Sequence, residues 1–144
     1  MNDHIDAFHR RQLRYAINIT WPNKISNENL YKIVNVEKWS VVIKRRRLNW
    51  LGHLARLPDN TPAKLALQEA LKPTKKNIGR PPLTWMSQIK KELQELKIIS
   101  TEQSKSNHFM TDIFEIAKDR NVWKNCVRSA ISNWQTEKPT PQRG

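Results

Sequence analysis

The chain has 144 residues, 38% of them hydrophobic, with 26 Lys/Arg against 13 Asp/Glu and a formal net charge of +13. That size fits one domain around one modest core, and three glycines with no Asn-Gly or Asp-Gly hairpin signal argue against a sheet. A single cysteine, Cys126, excludes an internal disulfide and a thiolate zinc cluster, and no apolar run approaches the ~18 residues of a membrane span.

Taken in chain order, the apolar residues repeat near 3.6 and predict helices throughout. Asn2 or Asp3 caps a first helix to about Ile19, with Ile5, Phe8, Gln12, Tyr15 and Ile19 as its packing stripe and Arg10 and Arg14 pointing away. Trp21-Pro22 ends that segment. Ser26 caps a short helix over Asn27 to Val34 that buries Leu30, Ile33 and Val34. A central helix spans about Glu37 to Leu57. Trp39, Ile43, Trp50, Leu54 and Leu57 form its main stripe, and Val41, Leu48 and Ala55 a second line nearly opposite. Two lines imply a helix packed on two sides.

After the Pro58-Asp59-Asn60 turn, Thr61-Pro62 starts a helix to about Leu71. Residues 72–83 are a basic connector whose three prolines and one glycine prevent regular structure. Thr84 caps the next helix, with Trp85, Ile89, Leu93 and Leu96 on one face. A polar loop over Ser100–His108 precedes a helical stretch from Phe109 to Trp134, broken near Asp119, which caps its second half. This stretch buries Phe109, Ile113, Ile116, Trp123, Val127, Ala130 and Ile131. The expected fold is all-α: one small domain over residues 1–134, of about five to seven helices, with residues 135–144 a disordered tail. Trp39, Trp50, Trp85 and Trp123 are expected inside, each with several apolar partners on its stripe.

Charge is unevenly placed. Residues 1–91 carry 18 Lys/Arg and 6 Asp/Glu, a net of +12, and the remainder is near neutral at +1. Between Lys44 and Lys91 there are 12 basic residues against only Asp59 and Glu69. A solvated face usually mixes signs, so this span points to a polyanion, with nucleic acid as the expected partner. The expected phosphate contacts are Lys44, Arg45, Arg46, Arg56, Lys75, Lys76, Arg80, Lys90 and Lys91. Gly52 would let a backbone phosphate approach the central helix, and His53 is a candidate phosphate or base contact beside its plainer role in helix packing. Arg45 and Arg56 sit on the polar edge, so reversing them should spare the fold. Arg47 borders the apolar stripe, where its stem can cover Trp50. In the connector, Gly79-Arg80-Pro81 equals the central tripeptide of the AT-hook. Ile78 stands where that motif has arginine, and the preferred reading is a rigid lead-in to the helix at Thr84.

Catalysis finds no support in the pattern. The acids of the basic part (Asp3, Asp6, Glu28, Glu37, Asp59, Glu69) are scattered, with no close pair to hold a metal on a phosphate. No nucleophile–histidine–acid arrangement is readable, and no Gly-rich phosphate loop exists. His4, His9, His53 and His108 share no metal-ligand spacing. The expectation is a protein that is not an enzyme, with no cofactor, metal or small-molecule substrate and no membrane association. Without an apolar leader, and with Asp3 and Asp6 opposing a mitochondrial presequence, nucleus or cytoplasm is expected.

Four blocks in order, DAFHRRQLRYAINITWPNKISNENLY (6–31), IKRRRLNWLGHLARLPD (43–59), GRPPLTW (79–85) and AKDRNVWKN (117–125), resemble the C-terminal, post-polymerase region of non-LTR retrotransposon endonuclease–reverse transcriptase polyproteins. The likeness covers nearly all of residues 4–130. It departs at Ile78 and in the polar stretch near Ser100–His108. The paired aspartates of the polymerase palm and the acids of the endonuclease are absent. The resemblance implies a truncated or domesticated piece, without catalytic residues, that helps hold template RNA or target DNA. The main alternative is a helical protein-interaction fragment of a decayed polyprotein whose tryptophans form a docking surface. A helix-turn-helix regulator lacks the short Gly-containing turn, and a piece with no cellular role is the remaining reading.

Overall fold

The computed structural model of the protein describes residues 2–72, 78–80, 83–100 and 109–137. Among them the regular structure is helical and contains no strand. The helices are α1 (Asn2–Ala16), α2 (Asn27–Val34), α3 (Trp39–Arg56), α4 (Pro62–Leu71), α5 (Trp85–Glu95), α6 (Phe109–Lys118) and α7 (Arg120–Glu137). The all-α class expected from the 3.6-residue repeats is what the chain adopts. Contacts gather into two compact units, Met1–Arg46 and Arg47–Gly144, with α3 contributing to each.

Local signals set most helix ends. The Ser26 hydroxyl accepts from Asn29 N at 3.2 Å and starts α2. Pro62 opens α4 after Thr61, whose side chain makes no capping bond. Thr84 and Ser87 form a reciprocal capping box at α5. The Asp119 carboxylate accepts from the amides of Asn121 and Val122, separating α6 from α7. α1 stops three residues before the expected Ile19. Asn18 takes a left-handed conformation (φ 56°), while Asn18 N and Ile19 N donate to the Tyr15 and Arg14 carbonyls. This is a Schellman closure, and asparagine tolerates its positive φ better than most residues. Lys97 closes α5 in the same way, with φ 55°. α7 continues through Glu137, so residues 135–137 of the expected tail are helical, and 138–144 lie outside the described residues.

In the first unit the expected stripe of α1 is rotated by one position. Asp6 and His9 are buried, whereas Phe8 and Tyr15 are 50% and 81% exposed. The cause is polar. The Asp6 carboxylate accepts from Ser40 N (3.0 Å) and Ser40 Oγ (2.6 Å), satisfying an amide in the first turn of α3 and placing a negative charge at that helix's positive end. His9 stacks on Trp39, with ring centroids 4.6 Å apart at 17°, and its Nδ1 lies 3.5 Å from the Tyr31 hydroxyl. Leu30 and Val41 supply the apolar burial, while Ile33, expected inside, is exposed.

Burial disfavours the His9 imidazolium and lowers its pKa from the ordinary 6.5, with nearby Asp6 opposing the shift and Arg10 adding to it. The unfolded chain therefore takes up this proton first as the pH falls, and the stability of the first unit should drop as pH falls through about 6.5. Denaturation followed by Trp39 fluorescence should give a lower midpoint near pH 5.5 than near pH 7.5, with His9→Gln shrinking the difference. An unchanged difference in that variant would assign the effect to another group.

The second unit has an apolar core of Leu48, Leu51 and Leu54 from α3, Leu67 from α4, and Ile89 and Leu93 from α5. From α6 and α7 come Phe109, Ile113, Ala117, Trp123, Val127 and Ile131. Of the four tryptophans expected inside, only Trp123 is, at 2% exposure. Trp39, Trp50 and Trp85 are 43%, 50% and 37% exposed. α3 buries Val41 and Leu48 of the line that looked secondary, together with Lys44, Leu51 and Leu54, and turns its tryptophans outward. Ile116 is likewise 40% exposed, its place inside taken by Ala117.

Candidate nucleic-acid interface

The four consecutive basic residues on α3 have four different fates. Lys44 is 1% exposed, which removes it from any surface contact with phosphate. Arg45 makes a two-pronged pair with Glu37 at 2.7 and 2.5 Å, and this bond holds the Glu37 carboxyl below its usual range. Arg46 is exposed and has no ion pair among the described residues. Arg47, expected to cover Trp50, pairs with Glu92 of α5, a carboxylate that is 1% exposed. The spacing of four around a helix forces this divergence, since successive side chains point about 100° apart.

Arg56 donates to the Ala117 carbonyl at 2.7 Å, covering an acceptor in the last turn of α6. Both side chains that the sequence placed on a free polar edge thus hold a partner within the fold, Arg45 a partly exposed carboxylate and Arg56 a backbone carbonyl. Arg80 is exposed, following Gly79 at φ 118°. Lys91 is exposed and only 4.0 Å from Glu95, and the Lys90 ammonium lies 5.3 Å from the Phe109 ring centre. Lys75 and Lys76 lie outside the described residues.

Gly52 is buried and faces Trp123 rather than solvent. A Cβ there would overlap Cδ1 and Nε1 of the indole, so the glycine admits a neighbouring ring and not a phosphate. His53 is exposed and packs obliquely on Trp50, with centroids 4.9 Å apart. Both rings are open to a ligand.

The sequence reading missed a groove in the first unit, about 560 Å³ in volume, lined chiefly by Arg10, Arg11, Arg14, Tyr15, Ile19 and Thr20. Arg14 Nη2 donates to the Ile25 carbonyl (3.2 Å) and Asn27 Oδ1 (2.7 Å), fixing one wall. The signal existed in the Arg10-Arg11-x-x-Arg14 spacing, but assigning Tyr15 to the core hid it.

Among the described residues no cluster of His, Cys, Asp and Glu is arranged to hold a metal, and no helix is long and apolar enough to cross a membrane. Burial pushes the half-buried Cys126 thiol up, away from the thiolate that nucleophilic chemistry needs.

No protein-family profile matches the chain, and no solved structure does. Over 91 residues it is 30% identical to an uncharacterized transposon-derived protein of Caenorhabditis elegans, a stretch that covers 63% of this chain and 30% of that protein. The likeness is thus to transposon-derived sequence, the coarser form of the resemblance carried by the four blocks.

Proposed function

We propose that the chain is a non-catalytic, retroelement-derived nucleic-acid-binding module, akin to the region that follows the polymerase in non-LTR reverse transcriptases, where it would help hold template RNA or target DNA. One observation carries this reading. The acids of the basic part are largely taken by internal partners: Asp6 by Ser40, Glu28 by Lys32, Glu37 by Arg45 and Glu69 by Lys72. Exposed Arg46 and Arg80 have no such partner among the described residues, so their charge is left for an external anion. Lys90 and Lys91 add to them, giving about four phosphate contacts.

Four contacts imply that log affinity for duplex falls against log salt with a slope of about −4, at roughly −0.9 per contact. Arg46→Glu with Arg80→Glu should flatten the slope by about two units and weaken binding to all sequences alike. Lys118→Glu with Lys124→Glu, in the near-neutral C-terminal part, should change much less. Affinity that ignores salt, or that falls equally with both pairs, would mean the charge serves solubility.

A second reading, a protein-docking fragment, is favoured by the exposure of Phe8, Trp39 and Trp50. Unchanged nucleic-acid affinity in Trp50→Ala together with loss of a protein partner would support it.

A further inference from the structure

We infer that the Arg10–Arg11–Arg14 groove of the first unit is a second binding site, for a single-stranded nucleic-acid segment whose phosphate meets the arginines and whose base stacks on Tyr15. The inference rests on the nucleic-acid reading above but uses none of its residues. Among the described residues three arginines line the groove and no acid does, so its chemistry selects an anion. A bare phosphate would leave the rest of the groove unused. The Tyr15 ring is 81% exposed, and Ile19 and Thr20 continue an uncharged wall beside it. Cationic rim and aromatic platform together suit a phosphate that carries a base, and about 560 Å³ lies within the range of small-ligand pockets.

The groove is also preset. Arg14 is held by the Ile25 carbonyl and Asn27. Arg11 is exposed, with no ion pair among the described residues, and supplies the uncommitted guanidinium. Fixed walls lower the ordering cost of binding. Duplex is disfavoured because its paired, stacked bases cannot turn a face to Tyr15.

The test uses the full chain and an oligouridylate or oligodeoxythymidylate of about ten nucleotides, read by anisotropy, with a duplex of the same length beside them. Tyr15→Ala should weaken single-strand binding about tenfold, the scale of one base stack, while Tyr15→Phe retains it. Arg11→Glu should weaken it further and reduce the salt slope by about one. Duplex binding should follow Arg46 and Arg80 and ignore Tyr15. Both side chains are exposed, and circular dichroism confirms that each variant folds. A 4-thiouridine oligomer should crosslink to the peptide containing Tyr15. Comparison of the uridylate with the deoxythymidylate shows whether RNA or single-stranded DNA is preferred.

Wild-type chain that binds duplex through Arg46 and Arg80, but whose single-strand affinity is indifferent to Tyr15 and Arg11, overturns this site and leaves the proposed function standing. Absence of binding to any nucleic acid overturns both. A phosphotyrosine peptide that displaces the oligomer at equal or lower concentration would reassign the groove to peptide.

Discussion

Gly52→Ala is expected to destabilise the second unit by about 1–3 kcal/mol, although the same change in an exposed helix gains about 1 kcal/mol. The added methyl would overlap Cδ1 and Nε1 of Trp123, and that indole has no room to retreat. Trp123 is 2% exposed, and its Nε1–H donates to the Leu48 carbonyl at 2.9 Å. Moving the ring breaks this bond and orphans a buried donor, at a further cost of about 1–3 kcal/mol. Trp123→Leu alone should cost several kcal/mol, on the order of large aromatic truncations. In that background Gly52→Ala should become neutral or stabilising, because the clash has gone and helix propensity remains. Urea denaturation of the four proteins gives the coupling directly. Equal cost of the alanine in both backgrounds would show that the two residues do not constrain each other.

Arg47→Met should cost about 3 kcal/mol, the lower end for breaking a buried ion pair. Glu92 is 1% exposed and pairs with Arg47, while Gln88 Nε2 lies 3.2 Å from Glu92 Oε1. Removing the guanidinium strips the carboxylate of a charged partner in a place water does not reach. Replacing both residues, Arg47→Met with Glu92→Leu, should recover most of the loss, since apolar side chains of similar volume tolerate that position better than a buried carboxylate that has lost its guanidinium. The readout is the denaturation midpoint of the three proteins. A double variant as unstable as Arg47→Met would mean that the packing of Glu92 matters more than its charge.

Helix existence and helix ends were legible because they are written in nearby residues. Ser26, Pro62, Thr84 and Asp119 act within a turn of where they stand. Which face a helix buries was less legible. On α1 and α3 the buried positions include Asp6, His9, Ser40 and Lys44, and a periodicity of apolar residues counts such positions as outside. Asp6, His9 and Ser40 are inside because each finds a partner distant in sequence, as Asp6 finds Ser40 and His9 finds Trp39. The large aromatics misled in the opposite sense. Trp39 lies against His9, and Trp50 against His53, at the surface. The basic cluster was visible as charge, but its availability was not, because Glu37, Glu92 and the Ala117 carbonyl claim their arginines from 8, 45 and 61 residues away.

Lys64 offers one further consequence. Its ammonium donates to the Leu54 and Ala55 carbonyls at the C-terminal end of α3 and lies 4.8 Å from the Phe114 ring centre, with the residue 6% exposed. An acylating reagent titrated onto the native protein should modify surface amines such as Lys38, Lys91 and Lys124 early. Lys64 should stay unmodified until the second unit opens, which makes its late acylation a site-specific clock for local unfolding.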